Sequence, residues 1–336
     1  MKYFVLIILS CLLPLLLAEP CGSQEKVTFC AVGDVLLDRG IRTMINQKGV
    51  DYPFEKTKPF LNSYDLTFCN LECPISKNGT PLDKPYVFRG DPPFVEGLKT
   101  SGLKIFSLAN NHTLDYGREA FLETKEILER HGLHAVGAGN NQSEASKGKT
   151  ITKKGVNVVF LAFVTMPLEG IVYSEDLPGP AQTDIEGIVD RIKSLRGTSD
   201  YIIVSFHWGK EYSSFPSKQQ KEYARRVIDH GADLVLGHHP HVIQSIEKYK
   251  GTFIIYSLGS FVFDQSSQPR NESFVFVCTF ADKKIVSPHI IPIIIEKRQP
   301  HFAKGEDFKK IVSRVKSISK GYGVNFEETE TALFLK

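Results

Sequence analysis

Five apolar, strand-like runs in this chain each end in a short polar signature, and this repeated pairing constrains the fold more than any other feature. The signatures are Gly33-Asp34, Asn70-Leu71-Glu72, Asn110-Asn111-His112, His207-Trp208-Gly209 and Gly237-His238-His239-Pro240-His241. Strands that deliver Asp, Glu, Asn and His side chains to one edge predict a metal site, and imidazole with carboxylate favours a first-row divalent ion over calcium or magnesium. Because these side chains are too many for one tetrahedral ion, we expect a two-metal hydrolytic centre.

The order of strand and helix signals predicts the fold class. Before Gly237 the signals alternate, with strands expected at 27–32, 66–70, 103–109, 134–136, 156–164, 201–206 and 234–236, and helices at 38–47, 92–102, 115–131, 183–195 and 217–230. Consecutive strands then follow at 242–246, 252–256, 273–280 and 285–295, before a helix at 306–319 and a strand at 332–335. This order predicts an α/β fold, an αββα sandwich of two sheets wrapped by helices with a late β-rich layer, in which the polar motifs lie at the carboxyl ends of the strands.

The composition excludes several classes of protein. A chain of 336 residues, 42% of them hydrophobic, can bury a substantial core. The net charge of +3 is small and the basic residues are scattered, which argues against a nucleic-acid partner. The cysteines beyond residue 18 are odd in number and form no CxxC pair, so a dense disulfide framework is excluded. Cys30, Cys69 and Cys278 lie inside apolar strands and are expected in the core.

Residues 1–18 have the features of a secretory signal. Lys2 gives a positive start, residues 4–17 are apolar, and Ala18 supplies a small residue at the end. The apolar stretch is short for crossing about 30 Å of hydrocarbon, which favours a cleaved signal over a permanent anchor. We therefore expect an exported protein, extracellular, periplasmic or at the cell surface. An uncleaved membrane anchor at the N-terminus is the alternative.

Two carboxylates at strand ends are the first candidate metal ligands. Asp34 follows Gly33, whose missing side chain lets another backbone approach closely, although a turn-capping role is the alternative for this Asp. Asn70 and Glu72 lie on one side of their strand by alternation. A carboxylate at the end of an otherwise apolar strand needs a partner, and a bridging position between metal ions supplies one for Glu72.

The segment after the third run combines a ligand with a proton donor. Asn111 offers an amide oxygen to a metal ion. His112, the next residue, is placed to protonate a leaving group. Asp115 is expected to cap the helix that follows.

Histidines complete the candidate site. His207 ends a buried strand, where a lone histidine is usually a core residue. The other candidate ligands at the ends of neighbouring runs favour a metal-binding role for it instead. His239 and His241 are two residues apart, so in an extended chain both side chains project the same way, with Pro240 stiffening the link. His238 is expected to point the opposite way and is the second choice as a ligand.

Six motifs carry a resemblance to a known family: GDVLLDR, NLECPIS, NNHTLDYG, HWGKEY, GHHPHVIQ and SLGSFVFD. Together they resemble the motif series of the CapA/PgsA family, named for poly-γ-glutamate capsule synthesis, whose fold is similar to that of the calcineurin-like metallophosphoesterases. The similarity covers residues 27–336, which implies a single CapA-type domain with a metallophosphoesterase-like sandwich. It implies a catalytic histidine, His112, and the metal ligands Asp34, Glu72, Asn111, His207, His239 and His241.

The chain departs from the broader superfamily at three positions. The first motif usually reads Asp-x-His, but Leu36 stands at the histidine position, so one nitrogen ligand is missing. Glu72 replaces the usual bridging Asp, and Ser260 stands where an Asn is expected. Asp38 is a candidate to compensate at the first metal, with a helix-capping role as the alternative.

The resemblance and the candidate site imply an exported metal-dependent hydrolase in capsule, poly-γ-glutamate or cell-surface polymer metabolism. Two transition-metal ions (Mn, Fe or Zn) would provide a metal-bound hydroxide that attacks an anionic polymer, phosphoester or amide. Arg39 and Glu211 are candidates for substrate-side or supporting residues. Two alternatives stay open. One is a non-catalytic subunit that binds or exports polymer beside capsule synthesis membrane proteins, and the other is a secreted phosphodiesterase or nucleotidase.

Overall fold

The computed structural model describes residues 26–336, and most of the predicted strands are present there. In chain order the strands are β1 Val27–Val35, β2 Leu66–Leu71, β3 Ile105–Ser107, β4 His134–Val136, β5 Ala138–Gly139, β6 Lys149–Lys153, β7 Val156–Val164, β8 Gly179–Pro180, β9 Tyr201–His207, β10 Leu234–His238, β11 Ile246–Tyr249, β12 Thr252–Ile255, β13 Ser260–Val262, β14 Glu272–Ala281, β15 Lys284–Glu296, β16 Gln299–Phe302, β17 Phe326–Glu328 and β18 Leu333–Leu335.

All six predicted helices are present among eight α-helices of this part of the chain. The helices are α1 Arg39–Lys48, α2 Lys58–Asn62, α3 Val95–Ser101, α4 Gly117–Arg130, α5 Gln142–Ala145, α6 Ile185–Arg196, α7 Lys218–Asp229 and α8 Gly305–Ile318. Short 3-10 turns at Tyr52–Phe54 and Pro92–Phe94 precede α2 and α3. Helices begin where the sequence offers a cap, since Asp38, Asp184 and Ser217 each accept a hydrogen bond from a main-chain N–H of the first turn.

Two sheets form the centre of the fold. The larger has the order β17-β18-β15-β14-β1-β2-β3-β4, with β13 paired to β1 and β16 paired to β15. The smaller has the order β11-β12-β10-β9-β7-β6, and β5 pairs with β8 separately. Strands β1 to β4 are parallel, as are β7, β9, β10 and β12, whereas the late strands β14, β15 and β16 pair antiparallel. This arrangement confirms the predicted α/β sandwich with a late β-rich layer.

Alternation of side chains along the strands divides the core into three apolar layers. Phe29 of β1 packs between the sheets against Phe160 of β7, with 5.9 Å between ring centres. Its neighbour Cys30 belongs to the layer between the large sheet and its helices, which includes Ile41 of α1. Leu161 of β7 lies in the layer that α6 and α7 cover on the other side. Burial of both faces explains why these strands read as continuous apolar runs.

The structure differs from the predicted elements mainly after Gly237. The strand expected at 242–246 is wrong, because the chain there makes one bridge between Ile243 and Leu258, and β11 begins only at Ile246. The strand expected at 103–109 is limited to the three residues of β3. Strands β6, β13, β16 and β17 were not predicted, because short or exposed edge strands carry no periodic apolar pattern.

Gly33 positions the end of β1 where the candidate site begins. A Cβ atom at this residue would lie 1.8 Å from the carbonyl oxygen of Gly259. The same carbonyl accepts a hydrogen bond of 3.2 Å from the N–H of Asp34. The close backbone approach expected at Gly33 is therefore present, and it holds the chain before β13 against β1.

The cysteines of residues 26–336 are free thiols in the core. Cys30, Cys69, Cys73 and Cys278 are all buried, as expected for the three that lie in strands. Residues 1–18, which were assigned above to a signal or an anchor, lie outside the described residues. From residue 26 onward, no helix has the length and apolar character needed to cross a membrane.

Candidate metal centre

The carboxyl ends of strands from both sheets bring the predicted ligands together. Asp34 stands opposite Asn70 in the parallel pairing of β1 with β2, and Glu72 follows directly after β2. His207 stands opposite His238 in the parallel pairing of β9 with β10. The large sheet therefore supplies the carboxylates, and the smaller sheet supplies imidazoles.

Glu72 lies at the centre of the cluster. Its carboxylate forms one group of close ligand atoms with Asp34 and His241, and a second group with His207 and His239. Within each group the ligand atoms lie within 4.8 Å of one another. All five side chains are buried. A carboxylate that belongs to both groups has the placement of a bridging ligand.

His241 connects the two carboxylates. Its Nδ1 lies 3.3 Å from Asp34 Oδ2, and its Nε2 lies 3.3 Å from Glu72 Oε1. Asp34 Oδ2 also accepts a hydrogen bond of 3.3 Å from the main-chain N–H of His239. The loop after β10 is thereby fixed against the end of β1.

The predicted amide ligand lies beside the second group, through its contact with His207. The rings of His207 and His239 are 4.9 Å apart between centres. His207 Nε2 lies 2.8 Å from Asn111 Oδ1. Asn111 therefore places its amide oxygen beside the two imidazoles of this group.

Two buried asparagines hold the carboxylates in position. Asn70 Nδ2 donates to Asp34 Oδ1 at 2.9 Å and to Glu72 Oε2 at 3.2 Å, and Asn110 Nδ2 donates to Asn70 Oδ1 at 3.0 Å. These bonds leave Asp34 Oδ2 and Glu72 Oε1 facing the ligand groups, and such supporting contacts orient metal ligands. This role of Asn70 and Asn110 was not predicted from the sequence. The available signal was the alternation that puts Asn70 on the same side of β2 as Glu72.

The protonation states of the cluster are set by burial and by neighbouring charges. Burial opposes ionisation of Asp34, but hydrogen bonds from two neighbouring histidines hold its pKa well below the usual value. Burial and the charge of Asp34 raise the pKa of Glu72 to about 8. Burial also lowers the pKa of His239 to about 3 and that of His207 well below its usual value. Neutral imidazole is the form that binds a metal ion.

His112 contacts a different set of groups from its neighbour Asn111. Its Nδ1 lies 2.9 Å from Asp115 Oδ2, and its ring packs on Phe88 with 4.3 Å between centres. Lys84 Nζ lies 2.5 Å from the other Asp115 oxygen and donates to the Asn111 carbonyl at 3.0 Å. Burial lowers the pKa of His112, and its hydrogen bond with Asp115 opposes that shift. Because Nδ1 faces Asp115, Nε2 remains to exchange a proton with a substrate.

The expectation that His238 points away from the other ligands is wrong. His238 Nδ1 lies 3.2 Å from Asp34 Oδ1, on the same carboxylate that His241 contacts. The cause is the backbone, since His239 and His241 have φ angles of 94° and 56°. In this left-handed conformation the alternation of an extended chain no longer holds. His238 thus adjoins the Asp34 side of the centre.

Two acidic residues near the cluster are not among its close ligand atoms: Asp38 takes the capping role considered as the alternative, and Asp115 takes a role that was not predicted. Asp38 caps α1, where its carboxylate accepts hydrogen bonds from the main-chain N–H groups of Arg39 at 2.7 Å and Arg89 at 2.8 Å. It lies outside the groups of close ligand atoms, which supports the capping alternative over a metal ligand. Asp115 was expected to cap the next helix, but Tyr116 is the N-cap residue of α4. The Asp115 carboxylate instead faces the imidazole described above.

A cavity of about 260 Å³ lies beside the cluster. Its wall includes His112 and His241 together with Arg39 and Glu211, the two residues predicted on the substrate side. Glu211 also forms a third group of close ligand atoms with His239 and His241. This ligand position was not predicted, because Glu211 lies in an exposed loop after β9, where no strand sets the direction of side chains.

The residues of the cluster fit a divalent cation. His207 Nδ1 and His239 Nδ1 are buried and have no hydrogen-bond partner within residues 26–336, and Glu72 Oε1 has only the 3.3 Å ion-pair contact with His241. Buried polar atoms are costly when they lack a partner, and a bound cation is one way to satisfy several of them at once. Carboxylate, imidazole and amide oxygen together suit first-row divalent ions.

Comparison with known proteins then identifies the family. The family model described as bacterial capsule synthesis protein PGA_cap matches residues 28–265, which include every predicted ligand. The chain belongs to this family. It is 32% identical over 285 residues to the capsule biosynthesis protein CapA of Bacillus anthracis, across 82% of this chain and 69% of the relative. It is also 32% identical over 291 residues to the PGA biosynthesis protein CapA of Bacillus subtilis, across 86% and 77%. The resemblance carried by the six motifs is confirmed.

Solved structures of nucleotidases share the fold of this PGA_cap protein. The NAD nucleotidase NadN of Haemophilus influenzae matches with a TM-score of 0.52 and 14% identity, over 87% of this chain and 63% of that one. A 5'-nucleotidase precursor from Thermus thermophilus matches with a TM-score of 0.50 and 12% identity, over 87% of this chain and 59% of that one. These likenesses confirm the metallophosphoesterase-like sandwich, and at such identities they concern the fold alone.

Proposed function

We propose that this protein is an exported hydrolase that binds two divalent metal ions and acts on poly-γ-glutamate or a related cell-surface polymer. The observation that carries the proposal is the place of Glu72 in both ligand groups, where it can bridge two ions. The mixture of imidazole and carboxylate favours Mn, Fe or Zn. The proposed ligands are Asp34, Glu72, Asn111, His207, His239 and His241.

The metal ions and His112 have different proposed roles in hydrolysis. Bound ions of this kind supply Lewis acidity and a nucleophile derived from water near neutral pH. His112 lines the cavity and is held through Nδ1 by Asp115, so its Nε2 can protonate a leaving group or stabilise developing charge. The Asp115 carboxylate favours the charged imidazolium that this task requires, against the effect of burial.

The names of relatives support the choice of polymer. One relative bears the name PGA biosynthesis protein, and another, 28% identical over 356 residues, is a probable polyglutamine synthesis accessory protein of Mycobacterium tuberculosis. The proposed export rests on the signal-like pattern of residues 1–18. The proposed partners are the anionic polymer itself and membrane proteins of capsule synthesis.

A non-catalytic role in the same process is the second candidate. Leu36 is fully buried and occupies the position at which the broader superfamily usually has a histidine. The Asp34 side of the centre therefore lacks one nitrogen ligand. A subunit that binds or exports the polymer would need the fold and the metal but no turnover.

Two variants separate chemistry from metal retention. His112→Ala should keep bound metal and fold while turnover of a γ-glutamyl amide or phosphoester falls by about a hundredfold to ten-thousandfold, the usual loss when acid–base help is removed. Asn111→Ala should instead lose metal, because an amide oxygen disappears from the second group. If His112→Ala lost metal as completely as Asn111→Ala, this division of labour would be wrong. Metal-loaded wild-type protein that retained polymer but hydrolysed neither substrate would favour the non-catalytic role.

A further inference from the structure

The cavity beside the metal centre contains two arginines from distant parts of the chain. Arg39 begins α1, and Arg270 lies just before β14. We propose that their guanidinium groups form a subsite for an oxyanion of the substrate, a carboxylate or a phosphate, next to the bond to be hydrolysed. This inference rests on the proposed hydrolytic function and specifies the substrate class as a negatively charged chain.

Arg39 forms one side of the subsite. Its Cζ lies 5.8 Å from the centre of the Phe88 ring, and Phe88 packs directly on His112. Asp264 Oδ2 lies 3.2 Å from Arg39 Nε and fixes the side chain from behind. The backbone of Arg39 is left-handed, with a φ of 55°, a conformation that costs energy for a residue with a side chain and is concentrated at functional sites. One aromatic ring therefore separates this guanidinium from the proposed proton donor.

Arg270 forms another part of the same wall and also lies over an aromatic ring. Its Cζ lies 5.3 Å from the centre of the Tyr212 ring, and that ring lies 6.3 Å from the ring of His241. The Tyr212 N–H donates to the Pro240 carbonyl at 2.8 Å, which holds the aromatic ring beside the metal centre. Within residues 26–336, the Arg270 side chain donates to Ser267 Oγ at 3.1 Å. A guanidinium has five N–H donors, so most of them remain for a ligand.

The charges of the cavity favour an anion. The Arg39 side chain is 46% exposed although its Nε pairs with Asp264, and Arg270 is also exposed, so both guanidinium groups are accessible to a ligand. A guanidinium that stacks on an aromatic face keeps its N–H groups in its own plane, where they can bind an oxyanion in bidentate fashion. Glu211 is the acidic residue of this wall, and it is close enough to His239 and His241 to contact a metal ion. With Glu211 on a metal ion, Arg270 and the part of the Arg39 guanidinium that Asp264 leaves free would give this wall a positive charge.

The dimensions suit one unit of a longer chain. A volume of about 260 Å³ is below the range of about 300–1,000 Å³ that encloses a drug-sized ligand. Tyr86, at the wall of the cavity, is 66% exposed, so the site opens to solvent and a polymer can extend from it. A γ-linked glutamate chain carries a free carboxylate beside every amide bond, which matches a subsite for negative charge next to the metal centre. A phosphoester offers the same charge from another source.

Binding measurements test the subsite separately from hydrolysis. A short γ-linked glutamate oligomer is titrated into metal-loaded protein that carries His112→Ala, so that the oligomer stays intact. Arg39→Gln and Arg270→Gln should each weaken binding about tenfold to hundredfold, because each removes charge-assisted hydrogen bonds. Arg270→Lys should restore only part of the affinity, because lysine lacks the planar fork. Arg130→Gln, at an exposed arginine of α4, is the matched control and should bind the oligomer as tightly as the His112→Ala protein does.

Further ligands show whether the subsite binds a carboxylate or a phosphate. The oligomer with amidated carboxylates should bind weakly and equally to all variants. If a phosphate monoester alone shows the dependence on both arginines, the subsite stands with phosphate as its ligand. If Arg39→Gln and Arg270→Gln bound the glutamate oligomer and the monoester as tightly as Arg130→Gln does, the subsite would be overturned. Loss of bound metal from Arg39→Gln and Arg270→Gln would overturn it as well. Arginine-dependent binding without any hydrolysis by wild-type protein would refute the proposed activity and leave the subsite intact.

Discussion

Replacing Lys84 by methionine tests how the histidine side of the centre is held. Lys84 Nζ lies 2.5 Å from Asp115 Oδ1, and the two side chains are 5% and 0% exposed. Lys84 also donates to the Asn111 carbonyl at 3.0 Å. Methionine keeps most of the volume but leaves the Asp115 carboxylate buried without its cation. Removing one member of a buried ion pair costs about 3–5 kcal/mol, so we expect Lys84→Met to lower the free energy of unfolding by that amount.

Urea denaturation of the variants measures this loss. Lys58→Met is the matched control, because the Lys58–Asp51 pair has a length of 3.2 Å but side chains that are 36% and 47% exposed. Such an exposed pair contributes about 0–1 kcal/mol. The double variant Lys84→Met/Asp115→Asn should lose less free energy of unfolding than the sum of the losses in Lys84→Met and Asp115→Asn, because the neutral amide at position 115 no longer needs a cation. Equal losses for Lys84→Met and Lys58→Met, or simple additivity in the double variant, would refute the reasoning.

Two other expectations concern the backbone at β1 and the protons of the metal-free centre. Gly33→Ala should lower the free energy of unfolding by at least about 1–3 kcal/mol, because its Cβ would meet the Gly259 carbonyl at 1.8 Å. Gly197→Ala, with open space around it, is the control in the same denaturation assay, and equal stability of the two variants would contradict the close approach. Metal binding at about pH 7 should release protons, because the buried Glu72–His241 pair holds them in the metal-free protein. Burial and the Asp34 charge raise the pKa of Glu72 to about 8, and the charges and hydrogen bonds of Glu72 and Asp34 together outweigh burial and raise the pKa of His241. Calorimetric titrations in buffers of different ionisation enthalpy count these protons, and heats that do not depend on the buffer would count against this protonation scheme.

Sequence patterns predicted the parts of the site that lie on strands. Asp34 is the penultimate residue of β1, His207 ends β9, and Glu72 follows β2, as the apolar runs indicated. A strand with both faces buried gives a continuous apolar run, and its end is therefore visible in the sequence. Parallel pairing then brings such ends to one edge, so the approximate assembly of the cluster followed without a structure.

Several contacts of the site could not be predicted, although the loop residues Asn111, His112, His239 and His241 were. His238 turns toward Asp34 because His239 and His241 adopt left-handed conformations, which no periodic pattern encodes. Lys84 reaches Asp115 from a loop outside any motif. The same holds for Arg270, whose place in the cavity depends on how the chain before β14 folds over the metal centre. These contacts depend on tertiary packing rather than on local sequence.

Metal content per chain tests the central claim most directly. After loading with Mn, Fe or Zn and removal of free ions, elemental analysis of the wild-type protein should find two ions per chain, the number expected if Glu72 bridges two sites. Glu72→Gln should lose most of this metal, because the shared ligand belongs to both groups. Glu247→Gln is the matched control, since Glu247 is also a buried glutamate but pairs with Arg225. Wild-type content in Glu72→Gln, or a wild-type protein that retains no stoichiometric metal, would contradict the account.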